Sequence, residues 1–348
     1  MKIAYLTNNL DPKNGWGRYA SDLIYGVKNA GHEVVILKEE DDGLEGMPIL
    51  KRGLGVFSSA LRIRKFIKNC DIIHALDGYP YGIIAWVANI FLRKKLIITV
   101  QGTYSIAPFY NIKTKYLAKL ACKSADLVIA ISNYTKNELL KQTKLKRVEV
   151  VNHGIDFDKF YKERGVSNEN YILSVGALKP RKGYHISIPA FALAKKQFPN
   201  LKYKIVGSQK DRNYFEKLPK VQGVEFLTGI TDEKLGELYS RAQRFILTSV
   251  NERHHFEGFG LVFLEAAASG LPIIGTLGNG IEDAVKDGYN GFLVPQNDIE
   301  KTADTMTEII QDQNKLQEMS SASYQWARQH DLPNMINNYL ALYNQILK

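Results

Sequence analysis

Residues 171–185, YILSVGALKPRKGYH, join a strand-like run to a helix-like one through a short cationic loop. The run YILSV is apolar at nearly every position, which is how a strand reads when helices cover both faces of its sheet. Lys179, Arg181 and Lys182 then crowd the turn around Pro180 and end at Gly183. Cations at the carboxyl end of a parallel strand, beside a helix N-terminus, make an anion site at the edge where α/β sheets bind ligands. Surface charge explains one or two such residues, but less readily three around a proline.

The same alternation extends in both directions. The first half contains KIAYLTN, HEVVILK, DIIHALD, LIITVQG, DLVIAIS and VEVVNHG, and the second YILSVGA, YKIVG, VEFLTG, RFILTS, PIIGT and GFLVP. Between them lies a polar stretch, DFDKFYKERGVSNEN, at residues 156–170. KSADLVIAIS (123–132) and SRAQRFILTS (240–249) occupy comparable places, each a helix end feeding a strand that stops at a serine. The expectation is an α/β protein of two Rossmann-like, doubly wound domains at residues 1–160 and 166–330. A chain of 348 residues exceeds one usual core and can form a large cleft between two. From Ile299 onward the chain reads as helical, with Pro333 marking a break before a last amphipathic helix.

Composition excludes several classes. With 45% hydrophobic and 24% charged residues and no repeat, the chain is an ordinary globular one. The apolar part of MKIAYLTNNL is too short for a secretory signal, and YGIIAWVANIFL (81–92) falls short of the roughly 20 residues of a membrane span. Cys70 and Cys122 have no metal or redox spacing and suit a reducing cytoplasm. His254 and His255 are adjacent and cannot share one site as an i, i+4 pair does, so no protein-bound metal is expected. The net charge is +10, and all the excess lies in residues 1–165. Much of it sits in ALRIRKFIKN (60–69), RKK (93–95) and KLKR (144–147). The first of these places Ile63, Phe66 and Ile67 on one helical face, with Arg62, Lys65 and Lys68 largely opposite. That pattern suits an anionic membrane surface or acceptor, and equally a core helix with a solvated basic face. No interleaved aromatic and basic motif supports nucleic acid as a partner.

Two further stretches carry candidate chemistry. FEGFGLVFLEAAASG (256–270) sets Glu257 and Glu265 eight positions apart. A helix beginning near Gly260 leaves Glu257 in the preceding loop and puts Glu265 more than a turn inside. Gly258 and Gly260 let a ligand approach the backbone, and free N–H groups at the helix start suit an anion. Together these describe a site for a long ligand with a phosphate in its middle; the alternative is two solvated acids. TNNLDPKNGWGRYA contains Gly15, Trp16 and Gly17 in a G-x-G-x-x-A pattern. The polar stretch from Asn8 to Asn14 is too long for a nicotinamide-binding turn. It reads instead as a flexible loop whose N–H groups reach a phosphate across the cleft.

In order and spacing, NGWGRY, SADLVIAIS, VVNHGID, VGALKPRKG, EGFGLVFLE and ASGLPIIGT resemble the retaining, nucleotide-sugar-dependent glycosyltransferases of family 4, which have the GT-B fold. The resemblance implies that Glu265 holds ribose hydroxyls, Glu257 lies beside the transferred sugar, and the backbone of Gly258, Phe259, Gly260 and Leu261 faces sugar and diphosphate. It gives Lys182 the diphosphate, makes Gly15 and its neighbours the loop closing on it, and puts the nucleobase near Gly229 and Ile230. The first domain would bind a glycan or lipid-linked acceptor, with helix 332–348 packed back on it, and the second the donor. Two positions depart from the family: Ala177 stands where an arginine is common, leaving Arg181 to supply the charge, and Gln101 stands for a histidine. A GT-B nucleotide-sugar epimerase or an inactive sugar-nucleotide-binding protein are the alternatives.

Overall fold

The structure, a computed structural model, describes residues 1–161 and 170–348. Most of the expected polar linker, residues 162–169, therefore lies outside the described residues.

The chain forms two units, one of Met1–Gly154 with Leu332–Lys348 and the other of Ile155–Asp331. In the first, strands β1 (Lys2–Thr7), β2 (Glu33–Lys38), β3 (Met47–Pro48), β4 (Ile72–Ala75), β5 (Lys95–Val100), β6 (Leu127–Ala130) and β7 (Val148–Val150) form a sheet in the order β3-β2-β1-β4-β5-β6-β7. In the second, β8 (Tyr171–Val175), β9 (Lys202–Val206), β10 (Val224–Leu227), β11 (Arg244–Ile246), β12 (Ile273–Thr276) and β13 (Gly291–Val294) follow the order β10-β9-β8-β11-β12-β13. Every pairing is parallel. In each sheet the winding reverses beside its first strand, at β1/β4 and at β8/β11, which is where such folds bind ligands. All twelve apolar runs of the sequence are strands; β3 escaped notice because two residues carry no periodicity.

The continuous apolarity of the strands has a direct cause in the first unit. Neighbouring residues of one strand enter different cores: Ile72 and Ile97 pack with Leu23, Ile24 and Val27 on one face of the sheet. Ile73 and Ile98 pack with Ile63, Ile67 and Ile84 on the other. Every position of β4, and every position of β5 after Lys95, is buried in this way.

The last helix, Leu332–Leu347, belongs to the first unit and buries Met335, Tyr339, Tyr343 and Ile346. Its tyrosines meet polar groups of the sheet. Tyr343 Oη lies 3.1 Å from Tyr5 Oη and 2.7 Å from His74 Nδ1, while His74 Nε2 lies 2.8 Å from Thr99 Oγ1. Burial holds the His74 imidazole down at about 3, so it stays neutral in this network.

The crossing between units falls earlier than the expected boundary at residue 160. Phe157 and Phe160 are buried in the second unit, where Ser269 Oγ donates to Phe160 O at 2.9 Å and Phe157 N donates to Asp331 Oδ1 at 3.3 Å. Two aromatic side chains in DFDKFY need a core, and the polar residues around them concealed that need.

Candidate functional site

The cationic loop after β8 is fixed by its backbone. Gly183 has φ +70°, and a Cβ there would stand 1.7 Å from Thr248 O, so only glycine lets the loop lie against the residues after β11. Thr248 Oγ1 donates to Gly183 O at 2.8 Å, and Val250 N donates to Arg181 O at 2.9 Å. These bonds set where the Arg181 and Lys182 side chains begin. Both converge on Glu257.

Lys182 Nζ lies 2.5 Å and Arg181 Nη1 3.0 Å from Glu257 Oε2, with Ser249 Oγ at 3.4 Å. Arg181 Nη1 also donates to Phe256 O at 3.3 Å. Burial alone would push the Glu257 carboxyl up, but Arg181 and Lys182 outweigh it and bring the group down to about 2. Glu257 is therefore a fixed carboxylate. Lys179, on the same loop, is lowered by burial first and then by repulsion from Arg181 and Lys182. Three cations face one buried anion, which leaves net positive charge at the sheet edge.

Glu265 lies in the helix Leu261–Ala268, whose cap is Gly260 at φ +85°. It is buried, not on a wet face, and Tyr239 Oη donates to its Oε2 at 2.9 Å. Tyr239 comes from the helix Asp232–Arg241, which follows the loop carrying exposed Gly229 and half-buried Ile230. One element thus runs from the expected base position to the expected ribose acid. Between the two glutamates, Gly258 and Phe259 are buried, while Gly260 and Leu261 remain half-buried at the open start of the helix. Gly280 N donates to Glu257 O at 2.9 Å, and a Cβ on Gly280 would reach 1.9 Å from Gly258 O. This contact pins the loop from its other side.

At the first sheet's edge the expected site residues, Gln101, Gly15, Trp16 and Gly17, carry no charge. Gln101 follows β5; its backbone N–H is held by Ser105 Oγ at 2.9 Å, and its side-chain Nε2 donates to Leu76 O at 2.6 Å. The amide oxygen is thereby oriented away from Leu76. Gly15, Trp16 and Gly17 differ from the expected flexible loop: they form the first turn of the helix Gly15–Asn29, capped by Asn14 Oδ1 accepting from Gly17 N at 2.8 Å. A Cβ on Gly17 would meet Asp11 O at 2.3 Å, and the Trp16 ring stacks on Tyr104 at 5.5 Å. The loop before them is tied down by Asn9 Nδ2 to Glu40 Oε2 at 2.7 Å and Leu10 N to Asp42 Oδ2 at 2.6 Å. Asparagines and aspartates at 8–14 signal turns and caps as readily as mobility.

Sequence reasoning assigns no site role to Tyr239 or Asp77 and reads Ser249 only as the end of a strand. Tyr239 reaches Glu265 from another helix, whereas Ser249 lies only eight residues before Glu257, where a single serine signals no partner. Asp77, just after β4, is fully buried, bonded to Ser105 Oγ, and pushed up by that burial to about 7. Among the described residues no group of three His, Cys, Asp or Glu side chains could hold a metal ion.

The family model for Glycosyl transferases group 1 matches residues 156–326, and that for Glycosyltransferase Family 4 matches residues 13–159. The chain belongs to these glycosyltransferases. An uncharacterized glycosyltransferase of Methanocaldococcus jannaschii is 28% identical over 272 residues, covering 77% of this chain and 74% of its own. The capsular polysaccharide biosynthesis glycosyltransferase CapM of Staphylococcus aureus is 25% identical, covering 80% of this chain and 78% of its own. The glycosyltransferase shares its GT-B fold with Anabaena Alr3699/HepE, solved in complex with UDP-glucose. That match has a TM-score of 0.82 at 20% identity and covers 99% of this chain and 100% of the other. No helix among the described residues is long and apolar enough to cross a membrane.

Proposed function

We propose that this glycosyltransferase moves a hexosyl group, with retention, from a nucleoside diphosphate sugar to a glycan or lipid-linked acceptor. The setting would be cell-surface polysaccharide or glycolipid synthesis at the cytoplasmic membrane face. The observation that carries the reading is the clamp of Arg181 and Lys182 on Glu257, beside the open helix start at Gly260. A diphosphate entering there finds two cations already oriented, and Glu257 stays ionised to accept hydrogen bonds from sugar hydroxyls. Glu265, held by Tyr239, takes the ribose, with Gly229 and Ile230 toward the base. UDP-glucose bound to HepE supports a nucleotide-sugar donor, and the similarity to CapM supports a polysaccharide acceptor.

In the transfer, the bond from the sugar's anomeric carbon to the phosphate oxygen breaks and a bond to the acceptor oxygen forms on the same face. The acceptor's proton goes to the departing phosphate. Charge grows on the diphosphate as this happens, so Lys182, Arg181 and the helix N-terminus stabilise the transition state more than the ground state. The deciding experiment is thermal denaturation with a panel of uridine, guanosine and adenosine diphosphate sugars. A ligand at 100 times its Kd adds about 2.7 kcal/mol of apparent stability. A matching donor should raise Tm and yield an axial-type, retained linkage by NMR when acceptor is supplied. A panel without any shift refutes the reading, and a sugar altered without acceptor identifies an epimerase instead.

A further inference from the structure

The helix Gly55–Ile67 buries Val56, Ile63 and Ile67 in the core of the first unit. Its outer surface is not simply polar. Leu54, just before it, is 91% exposed, Phe57 48% and Leu61 68%, and these three follow helical spacing along one stripe. The stripe continues into Arg64, Lys65 and Lys68. The neighbouring helix Ile83–Asn89 packs alongside and ends at two more outward apolar residues, Ile90 at 50% and Phe91 at 80% exposure. The Arg64 guanidinium sits 5.5 Å from the centre of the Phe91 ring, which joins the two sets into one surface.

Charge around that surface has a single sign. Arg62, Lys65, Lys68 and Arg93 are exposed, with Arg64 and Lys94 half-buried. No aspartate or glutamate occurs between residues 46 and 70 or between 78 and 125. The flanking acids are already engaged: Glu45 with Lys28 at 2.8 Å, and Asp71 with the backbone N–H of Lys2 at 2.8 Å. Individually protruding apolar side chains inside a cationic rim suit an interface that admits each one separately and presents anions around it. A protein partner asks for a complementary groove, and a nucleic acid gains little from exposed leucines.

We propose that the outer face of helix Gly55–Ile67 together with Ile90–Lys94 docks on an anionic lipid surface, with Leu54, Phe57, Leu61 and Phe91 entering the headgroup region and the surrounding arginines and lysines neutralising lipid charge. Such faces sink about 5–10 Å into the headgroup boundary. The inference rests on the membrane-side setting proposed above and gives it a location on the chain. It also gives a use to the excess positive charge of the first unit, whereas Arg181 and Lys182 of the second are paired with Glu257.

The test is sedimentation of the full chain with vesicles of phosphatidylcholine, with and without phosphatidylglycerol. Binding should require the anionic lipid and weaken as salt rises. The triple variant Arg62→Ala, Lys65→Ala, Lys68→Ala should lower partitioning about a hundred-fold, at about five-fold per cation. Leu61→Glu with Phe91→Glu should abolish it, while leaving Tm and the nucleotide-sugar thermal shift unchanged. Undiminished binding by the Glu variant overturns the proposal. So does equal binding to neutral vesicles, absence of vesicle binding, or retention by duplex DNA in place of vesicles. The assay contains no donor, so vesicle binding without any nucleotide-sugar response keeps this face and loses the proposed activity. The opposite pattern loses the face alone.

Discussion

Asp77 and Glu257 follow equivalent strands, β4 and β11, each beside the first strand of its sheet where the winding reverses. Both carboxyls are removed from water, yet their ionisation diverges. The main anchor of Asp77 is a neutral hydroxyl, Ser105 Oγ, and burial pushes it up to about 7; Glu257 meets two cations and is held near 2. Each acid follows the corresponding strand, Asp77 directly and Glu257 after a longer loop, and the partners determined what each can do. A carboxyl near neutrality can change charge under ordinary conditions, whereas Glu257 cannot, and serves as a permanent anion that orients Arg181 and Lys182.

The largest expected effect tests the cationic side. Lys182→Ala should lower kcat by about 10²–10³-fold, as removal of a donor to developing negative charge does. It should change donor affinity much less, a split that steady-state kinetics separates. If KM alone rises, Lys182 binds ground state and transition state equally. Arg181→Ala should follow the same pattern more weakly, and wild-type kinetics would show that Ala177 marks a real gap in charge.

The two glutamates should separate next. Glu265→Ala removes a group proposed to hold ribose, so affinity for the free nucleoside diphosphate should fall about ten-fold or more, the equivalent of roughly 1.4 kcal/mol. Glu257→Gln should leave that affinity nearly intact and lower turnover. Calorimetry with the diphosphate alone distinguishes them, and equal losses would erase the distinction.

The comparison of the two buried acids can be broken by pH. Glu257 is depressed in the folded protein, so its stabilising contribution is present above its unfolded value of about 4.5 and is lost as pH falls through about 2. Asp77 is raised, so its contribution is present below about 3.8 and is lost as pH rises through about 7. Asp77→Asn should therefore gain a few degrees of Tm relative to wild type at pH 8, less at pH 5, and nothing below about pH 3.8. A uniform offset across that range would show that Asp77 acts by shape alone.

The smallest expected effect concerns Gln101, whose side-chain N–H is already given to Leu76 O. Gln101→Ala should lower transfer several-fold without changing diphosphate affinity. Gln101→His should introduce a step in the pH–rate profile near pH 6–7, which the wild type lacks at this position. A wild-type rate in the alanine variant would make Gln101 a bystander.

Much of the protein was legible in the chain because it depends on local pattern. Twelve strands could be read from near-continuous apolar runs, since residues such as Ile72 and Ile73 enter cores on opposite sides of one sheet. The helix start at Gly260 and the cationic turn at 179–183 could be read because glycine, proline and charge act within a few residues. What tertiary structure alone decided depends on approach between distant segments. It gave Glu257 the partners Arg181 and Lys182, and Glu265 the partner Tyr239. It turned the presumed mobile glycine loop at 15–17 into the start of a capped helix. It also drew Phe157 and Phe160 into the second unit, because aromatic side chains follow whichever core can bury them, and sequence does not say which core comes near.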